Sequence, residues 1–285
     1  MRPILVTGAD GFIGRAVVAL LKGRGHDVLA LERRAGDILD DGTLSAAFSR
    51  RPAAVIQLVG RHIPVQAAAK CLGFARRWGV RRYIHMSSLG AAADSRCRYH
   101  RRKWAAERLV RASGLAWTIF RPSVVYGESC DFIRSMELLA GMAGLTPMLS
   151  SGRCRVQPIH VEDAARAVCD SLFDPSSEGR TFDLAGPEVL TLDDVLDRIE
   201  NARGAAKLRV HLPLWLGWPV IALQRIPPFS RAFRRFYAGI TPERWLNRDH
   251  LELLREDNVA STSVPASGLR TFDSWLRSRS VQPAR

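Results

Sequence analysis

The chain has 285 residues, 47% of them hydrophobic and 8% aromatic, enough for a sizeable core in one large domain or two small ones. No stretch is low in complexity, which excludes disorder outside the last few residues. The net charge is +14, nearly all of it Arg, and without zinc-finger spacing, an RNA-recognition aromatic motif or an isolated basic arm it points away from nucleic acid, toward solvated faces or an anionic partner such as a lipid surface or a phosphorylated ligand.

The front of the chain alternates. "PILVTG" (3–8) is an apolar run ending in Gly and predicts a buried strand, and "FIGRAVVALLKGRG" (12–25) predicts a helix with a Gly stop. "DVLALE" (27–32) is a second strand, "TLSAAFSR" (43–50) a short helix and "AAVIQLVG" (53–60) a third strand. "VQAAAKCLGFARRWG" (65–79) is a helix, "VRRYIHMSS" (80–88) a strand, and a helix around Tyr99 precedes "AWTIFRPSVVYG" (116–127), a strand and its exit. Continuous apolar strands between helices predict a parallel sheet covered on both faces. The regularity then fails. Residues 154–173 predict one more strand and helix, a strand falls near 181–185, and Thr191 with Asp194 forms a capping-box pattern before another helix. The fold class is α/β, a Rossmann-type doubly wound parallel sheet with a small discontinuous C-terminal substrate cap. Residues 1–127 with 154–175 form the cofactor domain, 128–153 with 176–275 the cap, and 276–285 a flexible tail.

The turn after the first strand, "TGADGFIG", spaces Gly8, Gly11 and Gly14 three apart. The first Gly permits the tight turn, the second lets a phosphate approach the backbone, and the third lets helix and strand pack closely. The helix N-terminus then offers free N–H groups and a positive dipole end to a pyrophosphate. Glycines alone would be weak, but these lie between a strand and a helix at the start of an alternating chain. The second strand ends in Glu32, Arg33 and Arg34. An acid there suits the ribose hydroxyls of NAD, and Arg forks suit the 2′-phosphate of NADP. The cofactor is therefore NADP or NAD, and the Arg pair tips the reading slightly to NADP.

Tyr99 and Lys103 lie four apart, one turn apart on one helix face. Such a pair occurs by chance in many helices, so its position after a Ser-ended strand matters more than its spacing. Lys occurs only at 22, 70, 103 and 207, so a Lys at 103 in an Arg-rich chain marks a specific requirement for a compact, tunable charge.

"TGADGFIG", "GDILD", a strand ending "HMSS", "YHRRK" and "FRPSVVYG", in that order, resemble the short-chain dehydrogenase/reductase superfamily, in particular its atypical and extended, epimerase-like members. "RVQPIHVEDAARAV" and "LELLREDNVAS" narrow the resemblance to bacterial relatives of the NAD(P)H-binding accessory subunit of respiratory complex I. The resemblance implies that Thr7, Gly8, Gly11, Phe12, Ile13 and Gly14 form the cofactor turn, that Asp37 and Ile38 sit at the adenine, and that Gly60 lines the ribose and phosphate path. It makes Ser88, in preference to Ser87, the hydroxyl on a substrate carbonyl, Tyr99 the general acid/base, and Lys103 its partner on the nicotinamide ribose. Pro122, Ser123 and Val124 pass beside the carboxamide, and His160 comes near the cleft. Two departures stand out. "RRAG" replaces the usual edge strand before "GDILD", and the short Ser88-to-Tyr99 interval leaves little room for a nucleotide-sugar loop.

A nearby ammonium lowers a phenol's pKa from about 10 by favouring the phenolate. The reading is thus hydride transfer coupled to proton transfer. His100, Arg101 and Arg102 are expected at the solvated outer face of this helix, and the cysteines at 71, 97, 130, 154 and 169 as core fillers in a reducing setting. No metal site is expected. No leader is expected before the turn at residue 7, and "LPLWLGWPVIAL" (212–223) is too short and Pro-broken to span a bilayer. The expected location is cytoplasmic or peripheral on an inner membrane. Residues 208–240 mix Trp215, Trp218, Phe229, Phe233, Phe236 and Tyr237 with Arg225, Arg231, Arg234 and Arg235. They read either as a cap packed on the cofactor domain or as an interfacial surface reaching a lipophilic substrate or a membrane complex. Two functions result: an oxidoreductase on a small, lipophilic carbonyl or alcohol of quinone-pathway or isoprenoid type, or a non-catalytic cofactor-binding subunit or assembly factor. A homo-oligomer is compatible with both.

Overall fold

Six parallel strands form the centre of the computed structural model, which describes residues 2–59, 64–141, 145–204, 208–224, 226, 229, 231, 246–261 and 268–280. The strands are β1 (Ile4–Thr7), β2 (Val28–Leu31), β3 (Ala54–Gln57), β4 (Arg82–Met86), β5 (Ala116–Pro122) and, after four short strands that lie elsewhere, β10 (Arg180–Leu184). Their order is β10-β5-β4-β3-β1-β2, with every pair parallel.

Both faces are covered, as the continuous apolar runs require. On one side α1 (Phe12–Gly23) and α6 (Val161–Ser171) bury Val17, Leu21, Ala164 and Val168 against Ile4, Val6, Ile56 and Ile84. On the other, α2 (Asp41–Ser49), α3 (Pro64–Arg77) and α4 (Arg98–Arg111) bury Leu44, Phe48, Cys71 and Val110 against Leu5, Val55, Tyr83 and Ile119. Each fully buried Leu, Ile or Val side chain contributes roughly 1.5–3 kcal/mol relative to exposure.

The sheet ends at β2 on one side. "RRAG" folds as a single 3₁₀ turn, Arg33–Ala35, with no strand before α2, in line with the abbreviated edge. The other side extends further than expected. Residues 180–184, assigned above to the cap, pair with β5 from Arg180 opposite Thr118 to Leu184 opposite Pro122. Phe182 stacks on Phe120 across that pair, ring centroids 5.7 Å apart, which anchors the sixth strand. The segment expected as one strand before α6 is instead two short pieces. β8 (Arg155–Val156) pairs with β11 (Leu190–Thr191), and β9 (Ile159–His160) pairs with β6 (Val125–Tyr126).

A third cluster joins α5 (Asp131–Ala140), α7 (Leu192–Ala202) and the C-terminal helix Phe272–Ser280 through Ile133, Val195, Leu196, Ile199, Phe272 and Trp275. Beside it, β7 (Leu145–Leu149) pairs with β12 (Leu208–Leu212). The expected capping box starts α7: Asp194 N–H donates to Thr191 Oγ1 at 3.0 Å, and Thr191 N–H to Asp194 Oδ2 at 2.8 Å. Residues 276–280, expected in the tail, belong instead to the last helix, because Phe272, Trp275 and Leu276 put an i, i+3, i+4 apolar stripe on it and Leu276 is buried; 281–285 lie outside the described residues. Of the cysteines, 71, 97, 130 and 169 are buried and 154 is half-buried, all free; burial pushes the Cys71 thiol up to about 12. Among the described residues, no helix is long and apolar enough to cross a membrane.

Candidate active site

The loop between β1 and α1 is closed to side chains. Gly8 has φ +71°, in the left-handed region, and a Cβ there would lie 3.2 Å from the Val59 backbone nitrogen. A Cβ on Gly14 would lie 2.1 Å from the Gly8 carbonyl oxygen, so helix and loop approach as closely as backbone permits. Gly11 is the N-cap of α1, with no side-chain cap and no acid in the first turn. The first N–H groups are thus open to an anion. Thr7 Oγ1 is fully buried at the loop's root with no hydrogen-bond partner among the described residues. Ile13 packs on the sheet core and Phe12 on the third cluster, which orients the helix start. An orphaned hydroxyl, an uncapped helix and a cradle that excludes Cβ fit a dinucleotide pyrophosphate.

At the end of β2, Arg34 Nε pairs with Glu32 Oε2 at 2.5 Å; Glu32 is the more sheltered partner. Arg33 is exposed, and its N–H donates to Asp10 Oδ2 at 3.4 Å. Asp37 Oδ1 accepts from Leu39 N–H at 2.9 Å and Ile38 is buried in the second core cluster, so this turn holds a fixed shape beside the Glu32 strand end. Gly60 lies outside the described residues.

The other end of the crevice is built on β4 and α4. Lys103 is 4% exposed, and its Nζ donates to the Met86 carbonyl at 2.9 Å, two residues before Ser88. Tyr99 is half-buried one turn earlier, its ring centroid 5.8 Å from the Lys103 ammonium. Ser87 and Ser88 divide their roles. Ser87 Oγ turns inward and donates to Glu107 at 2.5 Å, while Ser88 is half-buried and, among the described residues, its Oγ donates to the neighbouring Leu89 carbonyl at 3.1 Å. A phenol one turn from a buried ammonium can move a proton to or from a bound carbonyl.

Glu107, unmarked by the sequence reading, is the hub behind this end. It is fully buried and accepts from Ser87, from Arg111 at 2.7 Å, and from both Nε and NH2 of Arg121 at 2.9 and 2.7 Å. The bidentate fork satisfies a carboxylate that burial would otherwise penalise. Position 107 follows Lys103 by four, on the same helix face as the buried Lys103 and Val110, which is the signal that marks it. His85, also missed, is fully buried with Nδ1 against Gln57 Oε1, and burial with Lys103 and Arg111 close by pushes it down to about 3.

One histidine departs from expectation, and a second caps a helix. His100 is buried rather than exposed, because Gly90 makes room for its ring: a Cβ there would lie 2.6 Å from His100 Cε1. His160 caps α6, Nδ1 accepting from Glu162 N–H at 3.4 Å, and its ring packs edge-on to Tyr126 at 5.3 Å. Its ring therefore serves packing and capping. Burial lowers the pKa of both. Arg101 is exposed, as expected, and holds the carbonyls of Ser95 and Arg96; Arg102 is half-buried.

Pro122 ends β5 and Ser123 follows it, both buried, and Val124 leans on the third cluster. Ser123 Oγ donates to the Asn258 carbonyl at 2.7 Å. The "LELLREDN" stretch thus folds back over the strand ends. Asp249 Oδ1 accepts from Arg98 N–H, the first residue of α4, at 3.1 Å. Asp257 pairs with Arg155 at 2.6 Å, and Asn258 N–H donates to the Arg155 carbonyl at 2.7 Å.

A doubly wound sheet, a side-chain-free phosphate turn and a Ser, Tyr and Lys around one strand end define a Rossmann-type protein of the short-chain dehydrogenase/reductase kind. The profile of the NAD dependent epimerase/dehydratase family matches residues 4–185, and the chain belongs to that family. It is similar to "NADH dehydrogenase [ubiquinone] 1 alpha subcomplex subunit 9, mitochondrial" of Dictyostelium discoideum, 29% identical over 68% of this chain and 62% of that one, so it spans less than two thirds of that relative. The protein of the same name from Mus musculus is 25% identical over 91% of this chain and 73% of its own. The NAD(P)H azoreductase of Xenophilus azovorans is 25% identical over 70% of this chain and 74% of its own. Among solved structures, the Thermus thermophilus UDP-glucose 4-epimerase complex with NAD matches the fold with a TM-score of 0.63, at 21% identity, over 74% of this chain and 86% of that one.

Proposed function

We propose that the protein is an NAD(P)-dependent oxidoreductase acting on a carbonyl or alcohol of a small, lipophilic substrate. The observation that carries this reading is the Lys103 Nζ bond to the Met86 carbonyl, which ties the Tyr99 helix to the strand end bearing Ser88. When bound, the nicotinamide supplies or accepts the hydride. Ser88 polarises the carbonyl oxygen, Tyr99 gives or takes the proton, and Lys103 favours the phenolate; a proton donor so placed contributes about 10²–10⁴-fold. Thr7, Gly8, Gly11 and Gly14 hold the pyrophosphate, Asp37 and Ile38 border the adenine, and Pro122, Ser123 and Val124 border the nicotinamide. The azoreductase relative supports a reductase. The short interval from Ser88 to Tyr99 supports a substrate smaller than a nucleotide sugar.

Glu32 and Arg34 support NAD(H) over the NADP(H) to which the Arg pair alone leans. Arg34 already has a carboxylate partner, and that carboxylate stands at the ribose end of the crevice, where it would repel a 2′-phosphate.

A second reading, a cofactor-binding subunit or assembly factor peripheral to a membrane complex, is favoured by a different observation. Trp215 and Trp218 are 64% and 42% exposed, Ile226 and Phe229 are also exposed, and Arg248 lies 5.8 Å over the Trp218 ring. Aromatics and Arg suit a membrane interface. Phe233, Phe236, Tyr237, Arg225, Arg234 and Arg235 lie outside the described residues. NAD(P)H oxidation against a panel of quinones and lipophilic ketones tests the first reading, and turnover with at least one acceptor is expected. Cofactor binding without turnover, together with co-sedimentation with membranes, would favour the second.

A further inference from the structure

Asn258 is the residue of "LLREDN" whose side chain meets the reactive end of the crevice. Its main chain is held on both sides. The N–H donates to the Arg155 carbonyl at 2.7 Å, and the carbonyl accepts from Ser123 Oγ at 2.7 Å. Two residues on, Ala260 N–H donates to Gln157 Oε1 at 3.1 Å. The side chain is thereby presented at the carboxyl ends of β4 and β5, where an open α/β sheet receives its ligand.

Its amide is half used. Nδ2 faces the carbonyl of Leu89, the residue after Ser88, at 3.4 Å, and Leu89 N–H in turn donates to the Pro122 carbonyl at 2.9 Å. Reversing the amide would set two oxygens against each other, so the assignment of nitrogen toward Leu89 is fixed by its neighbour. Oδ1 is then buried with no hydrogen-bond partner among the described residues. A buried carbonyl oxygen left unpaired is costly, and such atoms in a folded chain call for a missing donor.

The geometry points to Asn258 Oδ1 as the acceptor for the N–H of the nicotinamide carboxamide. This rests on the dinucleotide reading above. A cofactor whose pyrophosphate lies on the β1 loop and whose ring faces Ser88, Tyr99 and Lys103 carries its only N–H donor at that end on the carboxamide. Asn258 fixes which way that group points, and through it which ring face meets the substrate. "LLREDN" thereby acquires a role: Asp257 and Arg155 hold the strap, and Asn258 reads the cofactor.

Binding of NADH, of its reduced 3-acetylpyridine analogue and of ADP-ribose tests this, each titrated into the full chain by calorimetry. The analogue keeps the carbonyl and lacks the N–H, and ADP-ribose lacks the ring. The wild type is expected to bind NADH roughly tenfold more tightly than the analogue, one hydrogen bond in an occluded site. Asn258→Ala and Asn258→Leu are expected to bring the two within about twofold while leaving ADP-ribose affinity unchanged, which also reports that the variant is folded. If both folded variants keep the full discrimination, or if the wild type binds NADH and the analogue equally, the assignment is wrong. A wild type that binds none of the three overturns the dinucleotide reading and this assignment with it.

Discussion

Lys103 reaches across from α4 to the carbonyl of Met86 at 2.9 Å, and Glu107, one turn further along the same helix, takes the hydroxyl of Ser87 at 2.5 Å. Two consecutive strand-end residues are thus fastened to two consecutive turns of one helix. Ser88 emerges as the next residue, with its hydroxyl free of that network. The distance between the strand end and Tyr99 is therefore set by buried polar bonds rather than by the loop joining them.

Glu107 is expected to matter for stability. Glu107→Ala leaves Arg111 and Arg121 without their carboxylate and Ser87 without its acceptor. Breaking a buried pair from one side costs about 3–5 kcal/mol, and the low end applies because both guanidiniums are partly open to water. The denaturant midpoint of the variant against the wild type measures it. A change under about 0.5 kcal/mol would contradict the hub.

Gly14→Ala is expected to lower both stability and cofactor affinity. The new Cβ would lie 2.1 Å from the Gly8 carbonyl and 2.9 Å from Ala9 Cα, so helix α1 must shift away from the turn. Overpacking of this kind costs typically about 1–3 kcal/mol. The melting temperature and an NADH titration check the two effects separately.

Glu32→Ala is expected to move preference toward NADP(H). It removes the carboxylate and releases Arg34 from the pair. The ratio of NADPH to NADH affinity should rise at least about tenfold, the scale of one lost repulsion and one gained charged bond. An unchanged ratio would remove Glu32 from the ribose end.

Stability is expected to fall with pH below about 6.5, the ordinary value for a free His. His85 stays neutral in the fold down to about 3, whereas the unfolded chain takes up a proton near 6.5. Between those values the unfolded state binds more protons, so each unit of acidification removes up to about 1.4 kcal/mol per such His. His100 and His160, also lowered by burial, add to the upper part of this window. The capping carboxylates Asp40 and Asp194, held low by hydrogen bonds from Thr43 and Thr191, act in a lower window, below 3.8. Urea midpoints between pH 7 and 5 should show the slope, and His85→Gln should reduce it by about one proton.

The parallel sheet was legible because its strands are short apolar runs punctuated by glycines, a local signal. The glycine turn was legible for a related reason: Gly8 turns the chain at φ +71° and Gly14 meets the Gly8 carbonyl, both within seven residues of chain, although Gly8 also faces Val59. The sixth strand was not, since Arg180 and Asp183 make "RTFDL" look like a cap strand until Phe182 meets Phe120 across β5. Glu107 went unmarked, because its partners Ser87 and Arg121 are 20 and 14 residues away. His100 was misjudged because its burial depends on Gly90, a contact between a loop and a helix. "LLREDN" marked the resemblance without revealing its work, which lies 102 residues away at Arg155 and 135 away at Ser123.

In the proposed reaction Tyr99, set by Lys103, moves the proton that accompanies hydride transfer. Its most direct measurement is single-turnover NADH oxidation with an accepted quinone or ketone, comparing wild type with Tyr99→Phe at saturating cofactor. A fall in rate of about 10²-fold or more, with NADH affinity within about twofold of wild type, is the predicted result. A Tyr99→Phe protein that binds NADH and keeps the full rate would contradict it.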